Sequence, residues 1–168
     1  YEIPLVYTQP PSKSNRGYKL SKSPIHIFCE ENNLNIRTPE NFNKIEDEKK
    51  VLEKIEADMA LVVAYGQILP ESILNVCKKG FINIHASLLP KLRGAAPIQR
   101  SIMNLDNETG VSIMQINEKL DQGKVYSQHK IKINKDDNAE DLSLKLSNLA
   151  AEKIVDDIEG IFENKKKF

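Results

Sequence analysis

Several features common in other classes of protein are missing or scarce in this sequence of 168 residues. It has no tryptophan, and its formal net charge is zero because 24 basic residues balance 24 acidic ones. A neutral chain argues against wholesale coating of nucleic acid, so any contact with a polyanion must come from a local patch. The two cysteines, Cys29 and Cys77, lack metal-ligand spacing and are predicted to be buried free thiols in a reducing compartment.

Long apolar runs and familiar catalytic motifs are missing too. The longest apolar stretch, around MALVVAYG at 59–66, is too short to span a membrane, and no signal-peptide pattern precedes it. The sequence contains no P-loop, no G-x-G-x-x-G, no Ser-His-Asp signature and no cluster of metal ligands. These absences argue against nucleotide hydrolysis, dinucleotide chemistry and zinc chemistry.

What the sequence does contain is an alternation of strand-like and helix-like segments. The hydrophobic patterns predict strands at 2–8, 34–38, 58–65, 81–85, 110–116 and 124–133. They predict helices at 24–33, 46–57, 70–78, 95–104 and 138–164, the last with Asn138 as N-cap. Segment 8–24, rich in proline, serine and lysine, is expected to be a loop.

The order of these elements predicts an α/β fold. We expect a Rossmann-like, mostly parallel sheet with helices on both faces. Segment 58–65 has no polar alternation, so it is expected to be a central strand buried on both faces. The last two strands follow one another without a helix, which favours a hairpin-like or mixed edge.

The strand FINIH, at 81–85, carries two side chains suited to chemistry. Residues two apart leave the same face of a strand, so Asn83 and His85 place an amide donor beside an imidazole. In open α/β sheets ligands bind beyond the carboxyl ends of strands, and this strand ends at His85. The alternative is a capped strand end with one hydrogen-bonded structural histidine.

The segments that follow add binding and acid–base candidates. SLLP at 87–90 predicts a rigid apolar corner, and Lys91 and Arg93 stand beside a glycine that can adopt positive φ. Such a corner could offer backbone groups to a flat heterocycle, or it could be an ordinary strand-to-helix crossover. Asp121 precedes a glycine-containing turn, where it could orient an imidazole, accept a proton or simply form the turn.

A local basic patch lies in the predicted first loop. It has no acid among its members, a pattern that suits phosphates, although a solvated mobile loop is the alternative. Its members are Lys13, Arg16, Lys19 and Lys22. The other histidines are less suited to chemistry, because His26 falls inside the first predicted helix and His129 lies on an alternating, mostly exposed strand.

The series NIHASLLPKLRGAAPIQR and LDQG resembles the folate-dependent formyltransferases. TQPPSKSNRGYKL, VVAYGQILP and RGAAPIQR resemble, more narrowly, the members of that family that act on methionyl-tRNA. The resemblance covers residues 1–163. It implies transfer of a formyl group from 10-formyltetrahydrofolate to the amino group of initiator methionyl-tRNA in translation initiation. It also implies a monomeric cytoplasmic enzyme of bacterial type, or one of an organellar matrix, that needs no metal and no membrane.

The resemblance assigns roles to three groups of residues. The family's catalytic residues fall on Asn83, His85 and Asp121. Its tetrahydrofolate-binding loop falls on Ser87, Leu88, Leu89 and Pro90, and the main-chain groups that hold the pterin fall on Gln67, Ile68 and Leu69. The tRNA-binding residues would be Arg16 and, by neighbourhood only, Lys13, Lys19 and Lys22.

The sequence departs from the family at both ends. Relatives have a further strand, turn and helix before YEIPLVYT, and a C-terminal β-barrel that helps to hold tRNA. We therefore expect 1–163 to form the catalytic domain without its first strand and helix, and 164–168 to be a polar tail leading to an absent barrel. Two alternatives stay open: a glycinamide-ribonucleotide or sugar-nucleotide formyltransferase, or a non-catalytic folate- or RNA-binding remnant. RGAAPIQR and the basic loop favour the tRNA-acting members.

Overall fold

The computed structural model describes residues 1–14, 19–41 and 45–163. The strands within these ranges are β1 (Val6–Tyr7), β2 (Ser12–Ser14), β3 (Lys19–Ser21), β4 (Ile36–Arg37), β5 (Ala60–Val63), β6 (Phe81–His85), β7 (Glu108–Gln115) and β8 (Val125–Lys132). The helices are α1 (Pro24–Glu31), α2 (Ile45–Ile55), α3 (Glu71–Leu74), α4 (Pro97–Met103) and α5 (Ala139–Phe162). The chain divides into a first unit, Tyr1–Ala57 with Tyr65–Val76, and a second unit, Asp58–Ala64 with Cys77–Phe168.

The first unit is built on two short strand pairs. β1 pairs in parallel with β4, and β2 pairs in antiparallel with β3. A strand is expected at 2–8, but β1 has only two residues. Pro4 precedes it and Pro10 follows it, and proline has no N–H to donate to a neighbouring strand. The prediction that 8–24 is all loop is wrong, because β2 and β3 form an antiparallel pair there. The helix predicted at 24–33 is confirmed as α1, with Ser23 Oγ accepting from the backbone N–H of His26.

A buried carboxylate joins three elements of the first unit. Arg37 on β4 donates two hydrogen bonds to Glu48 on α2, from Nε to Oε2 at 2.8 Å and from Nη2 to Oε1 at 2.7 Å. The hydroxyl of Tyr7 on β1 also donates to Glu48 Oε2, at 2.8 Å. The Arg37 guanidinium holds the pKa of Glu48 below its usual range, while burial and the neighbouring carboxylate raise the pKa of Tyr7 far above its own.

Replacing Glu48 with glutamine is expected to lower the free energy of unfolding by about 1–3 kcal/mol at neutral pH, because the guanidinium loses its charged partner. The pKa of Glu48 is depressed in the folded state, so its contribution is complete above the ordinary pKa of glutamate and is lost as the pH falls through the folded value. Urea unfolding at several pH values should show the gap between the two proteins closing in acid. Glu53→Gln, on the exposed side of the same helix, is the matched control; a gap that is constant with pH would contradict this account.

The second unit contains a four-stranded sheet in the order β5-β6-β7-β8. β5 and β6 run parallel, whereas β6–β7 and β7–β8 are antiparallel. The predicted α/β class and the hairpin-like edge are both confirmed, and the chain direction already reverses between β6 and β7. Within the described residues β5 is an edge strand, with Leu61 43% and Val63 57% exposed, so the expectation of a central strand buried on both faces is wrong. An unbroken apolar run does not by itself reveal whether both faces are covered.

The core of the second unit lies between this sheet and the last helix. Ile82, Ile113, Tyr126 and Ile161 form one cluster, and Val111 packs with Leu142 and Leu146 in another. The predicted cap of α5 is confirmed, since Asn138 Oδ1 accepts from the backbone of Glu140 and Asp141. Ile82 and Ile84 of β6 both pack into these clusters, so the alternate residues of that strand face the other side of the sheet.

The helices differ from the prediction at α3. The helix predicted at 70–78 ends at Leu74, because the chain leaves helical geometry at Asn75 and turns toward β6. None of the helices in the described ranges carries an apolar stretch long enough to cross a membrane.

Candidate active site

His85 is the last residue of β6, and its ring is fixed from one side. The side chain is 7% exposed, and Nε2 lies 3.0 Å from the carbonyl oxygen of Leu92. A carbonyl oxygen only accepts, so Nε2 carries the hydrogen and donates it. Leu92 has φ 55°, a left-handed conformation that is uncommon for a residue with a Cβ. With Nε2 held in this way, Nδ1 is the ring nitrogen left for chemistry.

Asp121 faces that second nitrogen. Its Oδ1 lies 3.7 Å from His85 Nδ1, which is longer than a hydrogen bond but within the range of an ion pair. Its Oδ2 accepts from the backbone N–H of Gly94 at 2.7 Å, which braces the carboxylate against the loop after β6. The predicted partners His85 and Asp121 are therefore neighbours, although 36 positions separate them in the chain.

Asn83 precedes His85 by two positions on the same strand. Ile82 and Ile84 pack into the core, so alternation puts Asn83 and His85 on the opposite face. Asn83 is half-buried, and no residue in the described part of the chain is hydrogen-bonded to its side-chain amide. That amide is available to donate to a ligand.

The SLLP corner is rigid because it hydrogen-bonds to itself. The Ser87 backbone N–H donates to the carbonyl of His85 at 2.9 Å, and Ser87 Oγ donates to the carbonyl of Lys91 at 2.6 Å. The Lys91 N–H in turn donates to the carbonyl of Leu88 at 3.1 Å. Ser87 and Leu89 are buried, Leu88 is half-buried and Pro90 is exposed. The corner therefore stands beside the catalytic candidates in the second unit.

The other folate candidates belong to the first unit. Gln67 Nε2 donates to the carbonyl of Pro39 at 3.0 Å, while its Oε1 is buried and has no partner among the described residues. Ile68 is almost fully exposed and Leu69 is half-buried.

The basic patch is only partly visible. Arg16 lies outside the described residues, and Lys13 and Lys19 fall on the paired strands β2 and β3. Lys22 Nζ lies 2.7 Å from both carboxylate oxygens of Glu30 on α1, and this contact lowers the pKa of Glu30. No acid occurs among the members of the patch, and the counter-ion of Lys22 is Glu30, eight positions further along the chain.

The sequence patterns do not identify Ser112 on β7, Gln128 on β8 or Asp157 on α5. Ser112 and Gln128 hydrogen-bond to the SLLP corner across the sheet. His129, predicted to lie on a mostly exposed strand, pairs through Nε2 with Oδ2 of the buried Asp157 at 2.7 Å. The sequence signal for Gln128 and His129 is the period-two alternation of β8. This alternation assigns each residue to a face of the sheet, but it does not show which other residues contact that face. Both cysteines are buried and free, as predicted, and no group of three or more candidate metal ligands occurs in the described ranges.

Comparisons with known proteins extend these observations. A family model described as formyl transferase matches residues 1–158. The chain is 59% identical over 168 residues to the methionyl-tRNA formyltransferase of Pelagibacter ubique (strain HTCC1062), covering 100% of this chain and 54% of that protein. The chain spans about half the length of the curated relatives it matches.

Solved structures show the same fold. A phosphoribosylglycinamide formyltransferase from Anaplasma phagocytophilum has a TM-score of 0.83 and 19% identity, covering 99% of this chain and 78% of that one. A sugar 3N-formyl transferase, solved in the presence of dTDP and 5-N-formyl-THF, has a TM-score of 0.65 and 27% identity, covering 87% and 48% of the two chains.

Proposed function

The chain belongs to the formyl transferase family, and we propose that it carries the catalytic domain of a methionyl-tRNA formyltransferase. In this proposal it transfers a formyl group from 10-formyltetrahydrofolate to the amino group of initiator methionyl-tRNA at the start of translation. The observation that carries the proposal is the His85–Asp121 pair at the end of β6, beside the SLLP corner. The relative that is 59% identical over the whole chain supports the choice of acceptor.

The chemistry of formyl transfer sets two requirements. A bond forms between the methionyl nitrogen and the formyl carbon, and the bond from that carbon to N10 of the folate breaks. Negative charge develops on the formyl oxygen, and the attacking amine must lose a proton while N10 gains one. A site for this reaction needs donors aimed at the oxygen and a route for the proton.

The described residues can meet both requirements. The amide of Asn83 is a donor for the formyl oxygen. Because His85 Nε2–H is occupied by the Leu92 carbonyl, a proton can enter or leave the imidazole only at Nδ1, the atom that faces Asp121. The Asp121 carboxylate holds His85 so that Nδ1–H is a second donor to the oxygen. It also receives the proton of the amine, directly or through water, and returns a proton to N10 as the bond from the formyl carbon breaks.

Binding of the two substrates completes the proposal. We assign the folate to Ser87, Leu88, Leu89 and Pro90 of the second unit. For the first unit, the family resemblance implies that main-chain groups of Gln67, Ile68 and Leu69 hold the pterin. We assign the acceptor end of the tRNA to Arg16, with Lys13, Lys19 and Lys22 as neighbouring phosphate contacts; a phosphate at Lys22 would compete with Glu30. The donor chemistry requires no metal, and we propose a cytoplasmic monomer.

Single-turnover formyl transfer with the 168-residue chain in excess tests the proposal. Methionyl-tRNA should be formylated in preference to glycinamide ribonucleotide and an amino-sugar nucleotide, because the sequence motifs favour the tRNA-acting members. KM for tRNA should be high, since the chain spans about half the length of its relatives and the family resemblance implies that a C-terminal β-barrel helps to hold tRNA.

Equilibrium dialysis against 5-formyltetrahydrofolate supplies the control for a competent folate site. Transfer to one of the competing acceptors but not to methionyl-tRNA would assign the chain to a sibling group. A folded chain that binds the folate and formylates no acceptor would be a non-catalytic remnant, and the proposed activity would be wrong.

A further inference from the structure

The hydroxyl of Ser112, on β7, makes three hydrogen bonds, two with the SLLP corner and one with the side chain of Gln128. The residue is fully buried and lies opposite His85 in the β6–β7 ladder. Its Oγ donates to the carbonyl of Ser87 at 2.6 Å and accepts from the backbone N–H of Leu89 at 3.0 Å. A third bond comes from Gln128 Nε2, also at 3.0 Å. One donor and two acceptor positions are all that a hydroxyl has.

Gln128, on β8, closes the arrangement from the next strand. It lies opposite Ser112 in the β7–β8 ladder. Its Nε2 donates to the carbonyl of Leu89 at 2.8 Å as well as to Ser112 Oγ. The carbonyl of Ser87 and both backbone groups of Leu89 are therefore fixed by two side chains from outside the corner. These are the backbone groups whose positions shape the corner.

The same bonds reach the histidine through the loop. Ser87 Oγ holds the Lys91 carbonyl, and the next residue, Leu92, presents the carbonyl that accepts from His85 Nε2. We propose that Ser112, supported by Gln128, is a positioning residue that fixes the backbone of residues 87–89 and, through Lys91 and Leu92, the orientation of the His85 ring. The expected effect of Ser112 on KM and kcat rests on the proposed function. Its expected effect on the orientation of the His85 ring does not.

Three variants of the 168-residue chain test this inference. Ser112→Ala removes the hydroxyl, and Gln128→Met removes the supporting donor at a residue exposed enough to leave folding intact. Ser127→Ala is the matched control, because Ser127 Oγ is a buried hydroxyl on the adjacent strand with no partner in the described part of the chain. Nitrogen NMR of the His85 ring reports which nitrogen carries hydrogen, and amide exchange at Leu89 reports the corner.

We expect Ser112→Ala to speed exchange at Leu89 about tenfold or more, the effect of losing one hydrogen bond, and to move the hydrogen of His85 from Nε2 toward a mixture of both nitrogens. Gln128→Met should do the same to a smaller extent, and Ser127→Ala should do neither. In transfer assays the first two should raise KM for 10-formyltetrahydrofolate and lower kcat together, because both the corner and the ring are displaced.

Unchanged His85 signals in Ser112→Ala would overturn the inference. If that variant does not fold, unchanged signals in Gln128→Met would overturn it instead. A wild-type chain that fails to bind folate or transfer the formyl group would contradict the proposed function alone, because the NMR comparison needs neither substrate.

Discussion

Replacing His85 with alanine should lower kcat for formyl transfer about 10²–10³-fold, the usual loss when one donor to a developing oxyanion is removed. The expectation follows from how the ring is held: Nε2 is fixed by the Leu92 carbonyl, and Nδ1 faces Asp121. In this position the ring stabilises the negative charge that develops on the formyl oxygen during the reaction. Because that charge is absent from the bound substrates, KM for either substrate should change little. Single-turnover rates at saturating folate and tRNA measure the effect.

The matched control is His129→Gln, which alters a histidine of the same sheet and keeps a donor for the buried Asp157. It should leave kcat within about twofold of the wild type, since measured effects below that size are ordinary for a position away from the reaction. Equal losses in the two variants would mean that a general disturbance of the sheet, rather than the chemistry of His85, sets the rate.

Part of this site could be predicted because its signals are local. Alternation within 81–85 is enough to put Asn83 and His85 on one face of a strand, and that strand has the predicted bounds. Asn138 was identifiable as a cap because capping depends on residues within one turn. The pairing of His85 with Asp121 came from a family resemblance, since no local pattern links positions so far apart.

The other contacts of the site could not be predicted, because they depend on the register between strands and on which elements pack against each face of the sheet. No short stretch of a single sequence contains that information. Ser112 and Gln128 contact the corner only because β6, β7 and β8 align them across the sheet. Glu48 looks like one more charge on an amphipathic helix until β4 brings Arg37 beside it. The apolar run at β5 predicted a strand correctly but gave the wrong burial, because composition is blind to what covers a face.

Replacing Asp121 with asparagine should be as damaging as removing His85, with kcat falling about 10²–10⁴-fold, the range for general acid–base groups. The Gly94 N–H that binds Oδ2 requires an acceptor, so the asparagine oxygen must take that position. Its NH₂ group then takes the place of Oδ1 and faces His85 Nδ1. Asparagine also tolerates the left-handed backbone at this position, where φ is 49°, so the fold should be retained.

The asparagine variant thus separates shape from proton transfer. An imidazole that donates through Nε2 to Leu92 and faces an amide at Nδ1 has no carboxylate beside that nitrogen to exchange a proton with. Asp58→Asn, at an exposed carboxylate in the same unit, is the control and should leave kcat unchanged. Because His85 and Asp121 act as one unit, the double variant should be no slower than the slower single variant. Losses that multiply in the double variant would show that the two residues act independently and would contradict a role of Asp121 that is exerted through His85.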